Sequence, residues 1–256
     1  MFRQVRIAIL LLILFAVCMD AWLTRAFSTD WQERLYIAVY PINADGSRAA
    51  SSYIERLTPD SFDAVEDFVA REASRYGREL EQPVRVELGL PITDQPPSLD
   101  KSPNVLEIAW WSLKMRWWAG SVTSDQERIR PDVRIFVRYH SPETPLPLED
   151  SVGVEKGMYG IVNAYASRRL EGRNNVVLAH EFLHTLGASD KYELGTGLPL
   201  PPHGLAEPDR QPLYPQTRAE IMGGRIALSA HEAEMPKNLS YAIIGPMTAA
   251  EIRLTR

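Results

Sequence analysis

Cysteine is almost missing from this chain: among its 256 residues only Cys18 carries a thiol. A single thiol cannot form an internal disulfide, which excludes the small secreted folds that are stapled by disulfide bridges. The folded part must therefore take its stability from a hydrophobic core and from any metal ion that it binds. With 45% hydrophobic residues, the chain can bury one core of substantial size.

The chain also lacks an excess of positive charge. Its formal net charge is -5, with 28 Lys and Arg against 33 Asp and Glu. It contains no basic stripe and no pattern of interleaved basic and aromatic residues, so the electrostatic footprint of a nucleic-acid-binding protein is absent. We therefore expect no nucleic-acid partner.

Long apolar runs are missing too, except for one near the N-terminus. Arg3 and Arg6 precede an apolar run over Ile7–Met19, which is the order of a secretory signal or a signal anchor. No clear cleavage site follows. We therefore expect residues 1–30 to form an uncleaved membrane anchor with the N-terminus inside, and a cleaved signal that releases a secreted or periplasmic protein is the alternative. Both leave residues 31–256 as one exported domain.

Histidine is scarce, with five in the chain, yet two of them share a segment that reads HExxHxxGxxD. On a helix, His180 and His184 lie on one face and can bind one ion, while Glu181 reaches a water bound to it. Gly187 can adopt positive φ, end the helix and turn Asp190 toward the same ion. Two imidazoles and a carboxylate leave the fourth tetrahedral position to water, as catalytic zinc requires.

The sequence around this segment supports a metal site. The preceding run Asn175–Ala179 is mostly apolar, so the helix is expected to be buried, and buried imidazole and carboxylate groups need partners. Asp190 has an alternative role, because Asp after Gly is an ordinary turn residue, and Glu193 or His203 would then complete the site. Glu207 and Asp209 are weaker candidates for metal binding, whereas His140 and His231 lack supporting spacing and are expected to be structural or solvent-facing.

The motif resembles that of the metzincin clan of zinc metallopeptidases, in the variant whose third ligand is Asp, as in the snapalysin-like proteases. That clan places a tight turn carrying Met beneath the metal. Met222, followed by two glycines, is similar to it, although an unrelated glycine loop is the alternative. The resemblance covers these two segments and an order of elements. It implies a Zn²⁺ ion held by His180, His184 and Asp190, with Glu181 as general base.

Hydrophobic periodicity predicts an α+β fold of the α/β type, compatible with a metzincin-like twisted mixed sheet, an active-site helix and a small irregular C-terminal subdomain. Four runs predict strands, at residues 35–40, 83–90, 133–139 and 159–166. Helices are predicted from Thr58, from Ser102 and from Thr248. The second of these contains four tryptophans that we expect in the core: Trp110, Trp111, Trp117 and Trp118. The proline-rich stretch 199–215 predicts a cleft wall or lid.

The last strand before the motif helix suggests a substrate. If Gly160–Ala166 lies beside the zinc with unpaired backbone groups, an extended peptide can add to it as a further strand. An ordinary paired strand is the alternative. We expect the partner to be a peptide or protein substrate, with the membrane as a second partner through the N-terminal segment.

Together these observations predict an exported or membrane-anchored zinc metallopeptidase. Zinc would polarise the scissile carbonyl and lower the pKa of its bound water, and Glu181 would pass the water proton to the leaving amine. Two residues near the motifs are candidates to stabilise the oxyanion, Tyr192 and Arg225. A metal-stabilised binding or adaptor domain without turnover is one alternative, although a structural site needs no general base. A zinc amidase with a non-peptide substrate is another.

Overall fold

A computed structural model gives the fold. It describes residues 6–7, 10–12, 14–15, 19, 30–98, 105–123, 130–143, 151–154 and 158–255. Two predicted start positions lie outside these residues. They are Ser102, for the tryptophan-rich helix, and Arg3, for the N-terminal segment.

The centre of the fold is a five-stranded sheet in the order β2-β1-β3-β5-β4. Its strands are β1 (Leu35–Asn43), β2 (Val84–Leu88), β3 (Val133–His140), β4 (Val152–Val154) and β5 (Tyr159–Tyr165). The first four in this order are parallel, and β4 runs antiparallel to β5 at the edge. The expected mixed α and β architecture is confirmed.

From residue 30 onward, the described residues form five α-helices. They are α1 (Arg48–Ile54), α2 (Asp63–Arg75), α3 (Val105–Thr123), α4 (Glu171–Thr185) and α5 (Pro246–Glu251). The predicted start at Thr58 is a 3-10 turn that leads into α2. The last helix begins at Pro246, before the capping box that the sequence predicts at Thr248, because the Thr248 hydroxyl is bonded elsewhere in the fold.

The two faces of the sheet bury two separate apolar cores. Successive residues of a strand point to opposite faces, so Ile37 and Val39 of β1 lie in one core while Ala38 and Tyr40 lie in the other. Residues of α1, α2, α4 and α5 belong to the first core, whereas α3 packs on the second. The motif helix α4 is therefore held between the sheet and the C-terminal part of the chain.

The four tryptophans of α3 divide between the core and the surface. Trp111 and Trp118 are buried against the sheet, but Trp110 and Trp117 are 61% and 77% exposed. Residues seven apart share one face of a helix, and only one face of α3 packs on the sheet. The prediction that all four lie in the core is therefore wrong for Trp110 and Trp117.

The described residues contradict the membrane anchor that the sequence predicts at residues 1–30. In the part of the chain that the structure describes, no helix is long and apolar enough to cross a membrane. The physical reason is length: the apolar run Ile7–Met19 is 13 residues, and Asp20 ends it, whereas a spanning helix needs about 20. The predictions of a transmembrane anchor, a membrane-bound location and a membrane partner through residues 1–30 are wrong.

After α4 the chain forms only short elements. Strand β6 (Ala219–Glu220) pairs in parallel with β9 (Ala242–Ile243), and β7 (Ile226–Ala227) pairs antiparallel with β8 (Ala233–Glu234). The rest consists of turns, loops, two 3-10 helices and the six-residue helix α5, in agreement with the irregular C-terminal subdomain that the sequence predicts. This part of the chain packs beside the C-terminal end of α4, where the motif residues lie.

Candidate metal centre

His180 and His184 lie one turn apart in the C-terminal half of α4, and backbone carbonyls fix both rings. His180 Nδ1 lies 2.9 Å from the carbonyl oxygen of Ile221, and His184 Nδ1 lies 2.7 Å from that of Ala188. A carbonyl oxygen can only accept, so each Nδ1 carries the hydrogen and donates it. In the neutral ring, Nε2 is then a bare lone pair, which is the form that binds a metal ion.

The end of α4 turns the chain back toward these rings, as the sequence predicts. Gly187 has a φ of 104°, a conformation that favours glycine. The Ala188 N–H donates to the Leu183 carbonyl at 3.0 Å, which closes the last turn. The reversal places the Ala188 carbonyl at His184 and brings Asp190 back beside both histidines.

Three donor atoms converge at this point. His180 Nε2 and His184 Nε2 are 3.1 Å apart, and Asp190 Oδ1 lies 3.1 Å from the first and 3.0 Å from the second. Donors on a tetrahedral zinc ion, with bonds of about 2.0–2.1 Å, are about 3.3–3.4 Å apart. Three lone pairs at this separation repel one another unless a proton or a metal ion lies between them. The spacing and the chemistry of the donor set therefore fit a zinc ion.

The pKa values at the site favour a bound cation as well. Burial on its own would raise the pKa of Asp190, but hydrogen bonds with His180 and His184 outweigh it and hold that pKa well below its usual range. For His180, burial lowers the pKa, but the hydrogen bond with Asp190 and the charge of Glu181 outweigh it and raise the pKa. The carboxylate of Asp190 is thus ionised, and its negative charge stabilises a cation at this point, either a proton on His180 or a metal ion.

Glu181 completes the cluster on the inner side of the helix. Its side chain is buried, with the residue 5% exposed. Donor atoms of His180, Glu181 and His184 all lie within 4.8 Å of one another, so this group could hold a metal ion. The structure thus gives two overlapping sets of donors, and it brings all four predicted site residues to one place.

Met222 lies in a tight turn next to the histidines. The turn Ile221–Gly223 is a short 3-10 helix in which Met222 is fully buried, and the Ile221 carbonyl is the one that accepts from His180. Gly223 allows the close approach, because a Cβ there would lie 2.3 Å from the Gly204 carbonyl oxygen. The turn that the sequence singles out therefore positions one of the two histidines.

The remaining sequence candidates divide by location. The Tyr192 ring lies 6.2 Å from the His180 ring, centroid to centroid. Arg225 packs against Gly197, where a Cβ would lie 3.2 Å from its Nε.

The weaker metal candidates lie away from the histidine pair or are exposed. Glu207 accepts hydrogen bonds from Thr217 and Arg210. Two of the weaker candidates, His203 and Asp209, are exposed and have no metal-ligand cluster around them in the described residues, and His231 is solvent-facing.

His140 is buried at the end of β3. Its Nε2 lies 3.0 Å from Asn163 Oδ1, so it has the structural role that its lack of motif spacing predicts.

Strand β5 is paired on both sides, so of the two alternatives that the sequence left open for Gly160–Ala166 the structure shows the ordinary paired strand. It bonds to β3 on one side and to β4 on the other. Beyond β4, the Asn163 N–H donates to Ser151 Oγ at 2.9 Å, and the Asn174 side chain bonds both the N–H and the carbonyl of Tyr165. In the described residues, the outer strand of the sheet is β4. It could not be predicted from the sequence, because three residues are too few to show a periodic pattern.

Sequence reasoning also missed the acidic residues that support the site. Glu251 bonds both neighbours of Asp190, and Glu220 bonds the Gly223 N–H of the turn beside His180. Glu251 is the last residue of the capping box that the sequence predicts at Thr248, and that motif indicates a helix start but no contact with the neighbours of Asp190. Glu220 precedes the Met222 turn directly, but nothing in its spacing indicates that its carboxylate points inward.

Comparisons with known proteins give little further information. No family model matches the chain, and no curated protein matches it. Among the solved structures, a chain in "Structure of a chaperone-substrate complex" has 14% sequence identity and a TM-score of 0.42. The match covers 86% of this chain and 34% of that chain, so this protein spans about a third of the other's length. A likeness of this size supports no statement about function.

Proposed function

We propose that this protein is a zinc metallopeptidase of the metzincin type. The observation that carries the proposal is the convergence of His180 Nε2, His184 Nε2 and Asp190 Oδ1 to within 3.1 Å of one another. Both histidines present the lone pair that a metal requires, because carbonyls hold their other nitrogens.

Two features favour a catalytic role for the metal over a structural one. Structural zinc sites use four protein ligands, whereas catalytic sites use three and leave a position for water. Here, within the described residues, two imidazoles and one carboxylate converge, and the Asp190 side chain keeps 33% exposure, so solvent reaches the site. The buried carboxylate of Glu181 beside them has the position that a general base needs.

The residues around the site divide the chemical work. A zinc ion held by them would supply a Lewis acid for the scissile carbonyl and a bound water of lowered pKa. The Glu181 carboxylate accepts a proton from the attacking water and delivers it to the amide nitrogen as the C–N bond breaks. The Ile221 and Ala188 carbonyls keep both imidazoles in one tautomer. Tyr192, which packs beside His180, is the candidate donor to the oxyanion.

The substrate in this proposal is an extended peptide. Among the described residues, β4 is the outer strand of the sheet, and α4 packs against both β4 and β5. An edge strand offers backbone N–H and carbonyl groups to which a peptide can add. The peptide would therefore lie along β4, in place of the β5 edge that the sequence suggests.

The decisive experiment uses the full chain and a Glu181→Gln variant. Both are assayed for zinc content and for cleavage of a peptide library read by mass spectrometry. We expect about one zinc per chain in each, with cleavage by the variant reduced about 10²- to 10⁴-fold. Glu207→Gln serves as the matched control, because its carboxylate holds a loop by bonds to Thr217 and Arg210, and we expect parental cleavage from it.

Other outcomes select the alternatives. Zinc binding without any cleavage would indicate the metal-stabilised binding or adaptor domain. Zinc-dependent hydrolysis confined to non-peptide amides would indicate the amidase. Cleavage by Glu181→Gln at the parental rate would contradict the mechanism.

A further inference from the structure

The two neighbours of Asp190 are both bonded to one distant carboxylate. Glu251, at the end of α5, accepts from the Ser189 hydroxyl at 2.6 Å and from the Ser189 N–H at 3.1 Å. It also forms an ion pair of 2.7 Å with Lys191 Nζ. Asp190 therefore lies between two residues that Glu251 holds in place.

The ion pair is built into the interior. The Lys191 side chain is 6% exposed, and its ammonium also donates to the Ser189 carbonyl at 2.9 Å. A buried ammonium needs a paired charge, so Lys191 cannot leave Glu251 without a large cost in solvation.

The backbone after Asp190 is fixed separately. The Lys191 N–H donates to the Met222 carbonyl at 2.9 Å, and the Lys191 carbonyl accepts from the Leu200 N–H at 2.8 Å. On the other side of Asp190, the Ser189 N–H is held by Glu251. The segment thus has a defined path although it belongs to no helix or strand.

Asp190 needs such support more than the histidines do. His180 and His184 are fixed by α4 and by the carbonyls that accept from their Nδ1 atoms. Asp190 lies beyond the end of the helix, and its side chain is 33% exposed. A metal ligand must be held to within about 0.5 Å of its productive position, and a loop residue reaches that precision only when its neighbours are fixed.

We propose that Glu251 is a positioning residue that holds Asp190 in the place of the third metal ligand. The inference rests on the proposed metal centre. It names a part of the site that lies outside the motif and comes from the last helix of the fold.

The test compares full-length Glu251→Gln with the parent. Zinc affinity is measured by competition with a chelator, and the ligand geometry is read from the visible absorption spectrum of the cobalt(II)-substituted protein. We expect Glu251→Gln to bind zinc about tenfold more weakly, the lower end of the range for groups that orient ligands, and to show altered cobalt bands. The matched control is Glu207→Gln, which loses comparable loop bonds and should leave affinity and spectrum unchanged.

The outcomes separate this inference from the function on which it rests. If the parent binds zinc and Glu251→Gln shows parental affinity and parental cobalt bands, the role of Glu251 is overturned. If Glu251→Gln fails to fold, Ser189→Ala removes one hydroxyl bond and keeps the ion pair, and we expect about threefold weaker binding. Unchanged binding by Ser189→Ala would then overturn the role. A parent that binds no zinc would overturn the metal centre itself.

Discussion

The sheet and the segment after Asp190 are held together in different ways. The sheet, with the helices around it, relies on backbone ladders and on two apolar cores. The later segment has short strand pairs, and buried carboxylates bond its backbone. The main example is Glu220, which is fully buried and accepts from the Gly223 N–H, the Gly245 N–H and the Thr248 hydroxyl.

Polar side chains bonded to backbone groups also join the two regions. Glu72 of α2 accepts from the Ile244 N–H at 2.9 Å, and Arg71 donates to the carbonyls of Leu239 and Ala242. In the sheet, stability is spread over many apolar contacts. The later segment also contributes apolar residues to the first core, but a few buried polar side chains bond much of its irregular backbone, so we expect single substitutions of those side chains to have larger effects.

The candidate metal centre lies on the boundary between the two regions. His180 and His184 come from the helix packed on the sheet, while Asp190 and the Ile221 carbonyl come from the irregular segment. A bound metal would therefore connect the two regions, and its loss would affect the later segment first.

The largest expected effect concerns Asp190, the ligand that the irregular segment supplies. Asp190→Ala leaves two protein donors and should weaken zinc binding by more than the 10- to 100-fold typical of outer groups. Asp190→His should restore part of the affinity by supplying an imidazole. A zinc titration of both variants measures this. Unchanged affinity in Asp190→Ala would remove the residue from the site.

The next effect tests how the irregular segment is held. Glu220→Ala would leave three buried donors without their acceptor, at about 1–3 kcal/mol for each group. We expect a loss of about 3–5 kcal/mol in the free energy of unfolding, measured by denaturant titration with a chelator present. The Glu207 carboxylate is partly exposed, so in Glu207→Ala water can take its place as hydrogen-bond acceptor. We expect this variant to lose about 1 kcal/mol in the free energy of unfolding. Equal losses in the two variants would contradict the comparison.

The smallest effect tests the sheet. Ile135 is fully buried in β3, and Ile135→Val removes one methylene from a core made of many contacts. We expect a loss of about 0.5–1.5 kcal/mol in the free energy of unfolding. A loss as large as that of Glu220→Ala, in the same denaturant titration, would show that the sheet is no more tolerant than the irregular segment.

The difference between the regions also explains what the sequence predicts. Strands β1, β3 and β5 follow from runs of β-branched and aromatic residues, and α4 with its glycine stop follows from the motif. These signals are local. Ser189 and Glu251 are 62 positions apart, and Gly245 and Glu220 are 25 apart. No periodic pattern links such pairs, so the carboxylates that hold the irregular segment could not be predicted from the sequence.

Local signals also misled where a pattern had two interpretations. The four tryptophans of α3 are all candidates for the core by residue type, but they lie on two faces of the helix. Only the face that carries Trp111 and Trp118 packs on the sheet. The composition of β5 fits an edge strand and an interior strand equally well. It is an interior strand because the three residues of β4 pair with it. Which face or edge is covered depends on the fold as a whole.

The most direct test of the central claim is the metal content of the full-length protein and of its His184→Ala variant. His184 contributes one of the three converging donors, with its Nε2 3.1 Å from that of His180 and 3.0 Å from Asp190 Oδ1. We predict about one zinc per chain in the parent and almost none in the variant after equilibration against a weak chelator. Equal zinc in the two proteins, or none in the parent, would contradict a metal centre at this site.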